Sequence, residues 1–195
     1  TLGKDTYTLA GINGRSSLTD RKGNDKYNIN SSDGTDGLIS ILDEDGKDIF
    51  NITGSKFIEI TDEAGNDKYN VKNSDSISII EQPTSEITNE IYNFTNVTNS
   101  VITDTIGVDT YKLNSTYDMT IYDNDKNTLS NPITSKQAKD NFIVKNSTLT
   151  KITSNFGDDK YTVSNNSSDI IVEDESGNET YNIKDTTFLK ITDTL

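Results

Sequence analysis

GNDKYNI at 23–29 and GNDKYNV at 65–71 differ only in their last residue, and looser copies of them punctuate the whole chain. These read GKDTYTL (3–9), GKDIFNI (46–52), GVDTYKL (107–113), GDDKYTV (157–163) and GNETYNI (177–183). Two weaker copies are TNEIYNF (88–94) and AKDNFIV (138–144). The common pattern is Gly-x-Asp-x-aromatic-x-aliphatic. Its aromatic falls at Tyr7, Tyr27, Phe50, Tyr69, Tyr92, Tyr111, Phe142, Tyr161 and Tyr181, in steps of 20, 23, 19, 23, 19, 31, 19 and 20 residues. A period near 20 means stacked units, each too small to bury a core alone.

Each unit carries two alternating segments. After the glycine, aromatic and aliphatic stand two apart (Tyr27 and Ile29, Phe50 and Ile52, Tyr69 and Val71), so both point to one face of a strand. A second segment ends in aliphatic-x-acid, as in Leu18-Thr19-Asp20, Ile41-Leu42-Asp43, Ile60-Thr61-Asp62 and Ile102-Thr103-Asp104, with the acid three residues before the next glycine. Two short strands and two turns in about 20 residues make one coil of an all-β, parallel β-roll or β-solenoid. Nine coils at the ~4.8 Å strand spacing give a rod of roughly 45 Å, with crossovers expected to be right-handed. A β-sandwich also alternates strands and turns, but it would not repeat one tripeptide at one corner nine times. Disorder fits the charge but does not predict phase-locked aromatics.

The array is expected to fill residues 1–195 as one domain, with an irregular coil at 81–94 around Pro83. A loop insertion at 124–137 carries Pro132 and accounts for the 31-residue step. The opening TLGKDTY and the closing ITDTL would join as one more repeat boundary, like ITDTIGVDTY at 102–111. The expectation is a slice of a longer array.

Composition agrees with strands. Ile, Leu, Val and Phe number 23, 10, 7 and 6, Ile outnumbers Leu more than two to one, and Ala occurs three times, which is poor helix chemistry. The formal net charge of −14 argues against nucleic acid and anionic membrane surfaces as partners. No apolar run exceeds three residues, so membrane insertion is not expected. With no His and no Cys, zinc sites, thiol chemistry and histidine acid–base catalysis are excluded. Carboxylate pairs such as Asp20 and Asp25 resemble a glycosidase pair, but the pair recurs in most coils and a catalytic site occurs once, so no enzyme is expected.

Stacking places Asp5, Asp25, Asp48, Asp67, Glu90, Asp109, Asp140, Asp159 and Glu179 in one column about 5 Å apart. Two carboxylates at that distance repel by roughly 3 kcal/mol at an effective dielectric near 20. Lys26, Lys68 and Lys160 have the opposite strand parity and are expected to face away. A row of hard cations is the simpler remedy, with the acids before the glycines (Asp20, Asp43, Asp62, Asp104) as further ligands. Ca²⁺ takes six to eight oxygens and accepts backbone carbonyls. The other reading of each Gly-x-Asp is a plain turn. Asn28, Asn51, Asn70, Asn93 and Asn182 are expected to form an outward ladder of amide hydrogen bonds.

GNDKY, GKDTY, GVDTY and GDDKY resemble the second half of the haemolysin-type, or repeats-in-toxin, nonapeptide, whose tandem copies build calcium-binding parallel β-rolls. An acid stands where that family has its leading Gly-Gly, and the motif recurs every ~20 residues rather than every nine. The resemblance implies that Asp25, Asp48, Asp67 and their column-mates ligate calcium between turns, in one row rather than two. It also implies an extracellular or bacterial cell-surface protein secreted by a type I route. Three roles follow as expectations: a calcium-stiffened shaft of an adhesin or surface layer, the calcium module of a toxin or exoenzyme, or a calcium-free solenoid that assembles into a filament. Neighbouring copies in a layer or filament are the further candidate partners.

Overall fold

The computed structural model describes residues 3–82, 87–105, 107–124 and 138–194. Nine coils follow one another. The first three hold β1 (Thr6–Ala10) and β2 (Ser16–Thr19), β3 (Lys26–Asn30) and β4 (Ile39–Leu42), β5 (Ile49–Thr53) and β6 (Lys56–Asp62). The fourth and fifth are each one strand, β7 (Lys68–Glu81) and β8 (Ile91–Asp104). The last four hold β9 (Thr110–Asn114) and β10 (Tyr117–Asp123), β11 (Asn141–Lys145) and β12 (Thr148–Ser154), β13 (Lys160–Ser164) and β14 (Ser167–Asp174), β15 (Thr180–Ile183) and β16 (Thr186–Asp193). No helix occurs among the described residues.

All pairing is parallel and runs from coil to coil. The first strands stack as β1-β3-β5-β7-β8-β9-β11-β13-β15, and the second as β2-β4-β6-β7-β8-β10-β12-β14-β16. The expected parallel β-solenoid with ~20-residue coils is therefore the observed fold. The two-strand coil needs one amendment, because β7 and β8 run through the corner unbroken. Their burial pattern slips phase twice, at Lys72–Asn73 and Asp75–Ser76 in β7 and at Thr95–Asn96 and Thr98–Asn99 in β8, so the second half again turns its apolar residues inward.

That corner has a local cause. Asn73, Asn96, Ser115 and Asn146 sit at φ of 50°, 52°, 57° and 49°, and a second left-handed residue follows three positions later at Ser76, Asn99, Asp118 and Leu149. Asn, Asp and Gly adopt this conformation most readily, which explains their density at the bend. Phe57, Leu149 and Phe188 hold it at a cost of roughly 1–2 kcal/mol each. Between the two bends a small buried residue points inward. The backbone N–H of Ser32 donates to Ser55 Oγ (3.1 Å), that of Ser55 to Ser74 Oγ (3.3 Å), and that of Ser147 to Ser167 Oγ (3.3 Å). A serine ladder thus closes this edge.

The core is a thin double row. Nine rings stack in one ladder with centroids 4.6–5.2 Å apart and planes within 17°. Each pair adds about 0.5–1.5 kcal/mol beyond its buried area. Facing it are Ile41, Ile60, Ile79, Ile102, Ile121 and Val172, all buried. Outside, the amide of Asn51 donates to Asn28, Asn70 to Asn51 and Asn93 to Asn70, at 3.2, 3.0 and 3.1 Å. The expected ladder holds over those four residues. Tyr92 keeps register with Tyr69, so the weak copy at 88–94 is a full coil. Pro83 and most of the 124–137 insertion, Pro132 included, lie outside the described residues.

Candidate metal centre

The inward parity that buries Tyr27 and Ile29 also buries Asp25, two residues before the ring. The same logic on the second strand buries Asp43, two residues after Ile41. The two rows therefore end in acids that meet at the narrow edge opposite the serine ladder. Four groups result: Asp5, Asp20 and Asp25; Asp25, Asp43 and Asp48; Asp48, Asp62 and Asp67; Glu90, Asp104 and Asp109. Each offers three carboxylate oxygens within 4.8 Å of one another. Nine of the eleven aspartates singled out from the sequence lie in these groups. Asp140 and Asp159 belong to the same column, since the N–H of Asp140 donates to Asp159 Oδ1 (2.9 Å), but they join no group of three. Between them, coil seven has Ser154 where the others have an acid, and its hydroxyl donates to Asp159 Oδ2 (2.8 Å).

The two columns are held differently. In the first, one carboxylate oxygen takes the backbone N–H of the coil before. Asp5 N–H donates to Asp25 Oδ1 (2.6 Å), Asp25 N–H to Asp48 Oδ1, Asp48 N–H to Asp67 Oδ1 (2.6 Å), and Glu90 N–H to Asp109 Oδ1 (2.6 Å). The other oxygen of Asp25, Asp48, Asp67 and Asp109 is buried and receives no donor. In the second column both oxygens of Asp20, Asp43, Asp62 and Asp104 are occupied. Asp43 takes the N–H of Glu44 (2.9 Å) on Oδ1 and the hydroxyl of Tyr27 (2.5 Å) on Oδ2. Asp20 is held likewise by Arg21 N–H and Tyr7, Asp62 by Glu63 N–H and Tyr69, and Asp104 by Thr105 N–H and Tyr111.

The glycines fit this edge for a steric reason. A Cβ on Gly46 would overlap the carbonyl oxygen of Gly23 and Oδ2 of Asp48. One on Gly65 would overlap the carbonyl of Gly46 and Oδ2 of Asp67. Carbonyl and carboxylate oxygens thus converge where the side chain is missing.

Burial dominates the electrostatics. It raises Asp48 to about 8, Asp67 to about 10 and Glu90 to about 8, with neighbouring carboxylates adding to the rise. Asp62 is raised to about 7 by burial and then by Asp43. Asp109 is pushed well above the carboxylate range by burial, Asp104 and Glu90. Asp20, in the first coil, goes the other way because Tyr7 donates to it. Such an edge holds its acids as protons or as ligands, not as bare charges. Orphaned buried oxygens, a cradle that a Cβ would fill and an all-oxygen donor set together fit a hard metal ion.

Sequence reading missed the tyrosine hydroxyls, although Tyr rather than Phe at seven of nine rungs was the available signal. It also passed over Glu81 as a member of the second column, and left Asp123, which ends the second segment Ile121-Tyr122-Asp123, out of the ligand set. The single hydroxyl proton of Tyr69 is shared between Asp62 and Glu81, and that of Tyr111 between Asp104 and Asp123. The expected outward lysines 26, 68 and 160 are exposed. Compared with protein-family models, curated proteins and solved structures, the chain matches none.

Proposed function

We propose that this chain is a calcium-binding structural β-roll segment of a secreted or cell-surface bacterial protein, of the adhesin-shaft or surface-layer kind. The supporting observation is the row of buried carboxylate oxygens without donors, each beside two further acids from adjacent coils. Oxygen-only ligands without His or Cys favour Ca²⁺ or Mg²⁺. Shared carboxylates and backbone carbonyls suit the larger and less geometrically strict Ca²⁺. With calcium scarce the buried acids must take up protons or repel one another, and either weakens the stack near neutral pH. With calcium abundant, binding stabilises the stacked coils by RT ln(1 + [L]/Kd) per site. The reading is a shaft without catalysis, outside the cell.

A second reading has its own support. Rings, serines and asparagines already bind coil to coil without a metal. This favours a calcium-independent rod or filament. Circular dichroism during calcium titration of the chelated protein separates the two. The expected result is a coil-to-β transition that magnesium does not reproduce and that Asp25→Ala with Asp67→Ala abolishes. A β spectrum indifferent to chelator would sink the calcium mechanism and leave the metal-free rod.

A further inference from the structure

Along the outside of the acid edge runs a groove of about 600 Å³ spanning coils one to five. Four lysines line it: Lys4 and Lys47 in the x position of Gly-x-Asp, Lys26 and Lys68 just after the aspartate. None of the four forms an ion pair among the described residues, whereas Lys22, Lys56, Lys151 and Lys184 each have an acidic partner. Lys72, Lys112, Lys145 and Lys160 likewise have no ion pair among the described residues, so what distinguishes the four is that they line one groove. Ile49 and Ile91 give the groove exposed apolar ground, and Asn24, Asn66 and Asn89 give it amides. Asn89 donates to Asn66 at 2.9 Å, so those amides are already aligned along the rod.

We propose that this groove binds a linear acidic polysaccharide bearing one carboxylate per disaccharide. The spacing supports it. Lys4 and Lys47 stand two coils apart, as do Lys26 and Lys68, which is about 10 Å. Two extended sugar rings span much the same length, so one carboxylate per two sugars meets a lysine at each repeat. Amides suit sugar hydroxyls and isoleucines suit the C–H faces of the rings. A single-stranded nucleic acid, which also carries regular charge, asks for aromatic platforms and arginines. The groove has neither. Asp5, Asp25, Asp48 and Asp67 edge it from beneath. That an anion lies above them rests on the cation reading, which neutralises them.

The test is isothermal titration of the folded chain with a hyaluronate oligosaccharide at low salt in calcium. A neutral chitooligosaccharide, a single-stranded oligonucleotide and the variant K4Q/K26Q/K47Q/K68Q serve as comparisons. The expected result is binding of hyaluronate alone, weakened by salt and lowered roughly tenfold or more in the variant. Absence of hyaluronate binding by wild-type protein with an intact β spectrum overturns the proposal. So does equal affinity of the variant, which leaves the lysines as solvated counter-charges. Equal or tighter binding of the oligonucleotide overturns the polysaccharide assignment. The cation reading fails separately, through a chelator-insensitive spectrum, while the lysine comparison is still made in any buffer that keeps the coils folded.

Discussion

At the scale of single residues, the tyrosine hydroxyl is the smallest part with two jobs. Its ring stacks and its hydroxyl fixes an acid. Phe50 and Phe142 already stand in the ladder with centroid spacings of 4.6–4.9 Å, so Tyr→Phe leaves the stack intact. Tyr69→Phe is expected to cost about 1–2 kcal/mol in urea melts, from the hydrogen bonds to Asp62 and Glu81, and to weaken calcium binding. Unchanged stability would mean that Asp62 finds another donor. Glycine makes a second test by contrast. Gly46→Ala drives a methyl into the Gly23 carbonyl and is expected to cost about 3–4 kcal/mol. Gly11→Ala meets no atom within 4 Å and costs only the left-handed strain of its φ of 63°, about 1–2 kcal/mol. Thermal melts of the two variants should rank them in that order.

At the scale of the coil, the unit of chemistry is an acid from each of two strands plus the first acid of the next coil. Coil seven breaks this rule, with Ser154 in the place of the second acid. The Ser154 hydroxyl donates to Asp159 Oδ2 at 2.8 Å, closer than the Tyr161 hydroxyl at 3.5 Å. The step from coil seven to coil eight is therefore closed by a hydrogen bond. Ser154→Asp replaces that donor with a third carboxylate beside Asp140 and Asp159. It is expected to raise the calcium stoichiometry measured by titration calorimetry by one. An unchanged count would show that two converging columns are not what makes a site.

At the scale of the molecule, the acid edge links stability to pH and to metal with opposite signs. In the metal-free protein, Asp48, Asp67 and Glu90 have folded values raised to about 8, 10 and 8, against ordinary values near 4. A raised group contributes stability that is complete below its unfolded value and is lost as pH rises through the folded one. The chelated rod should accordingly be most stable near pH 4 and lose stability progressively toward pH 10. With calcium bound, protons compete with the ion, so stability conferred by calcium should fall as pH drops. Chemical melts across that range, with calcium and with chelator, should give slopes of opposite sign. Parallel slopes would mean the acids are not the ligands.

What the sequence determined by itself follows from repetition and parity. Septets at 23–29 and 65–71 that differ only in their last residue must occupy equivalent places in a stack, and residues two apart on a strand must share a face. That sufficed for the parallel β-solenoid, the aromatic ladder, the inward aspartates and the outward row from Asn28 to Asn93. Tertiary structure alone decided what lies opposite what across a coil. The paired left-handed residues at the bends, such as Asn73 and Ser76 or Asn96 and Asn99, set the angle at which the second strand returns. That angle brings Asp43 against Asp25 and Asp48, and the Tyr27 hydroxyl onto Asp43. It likewise leaves the serine ladder at the far edge and groups four lysines on one groove. A strand's parity is a local property of the chain, whereas closure of the coil depends on every bend at once.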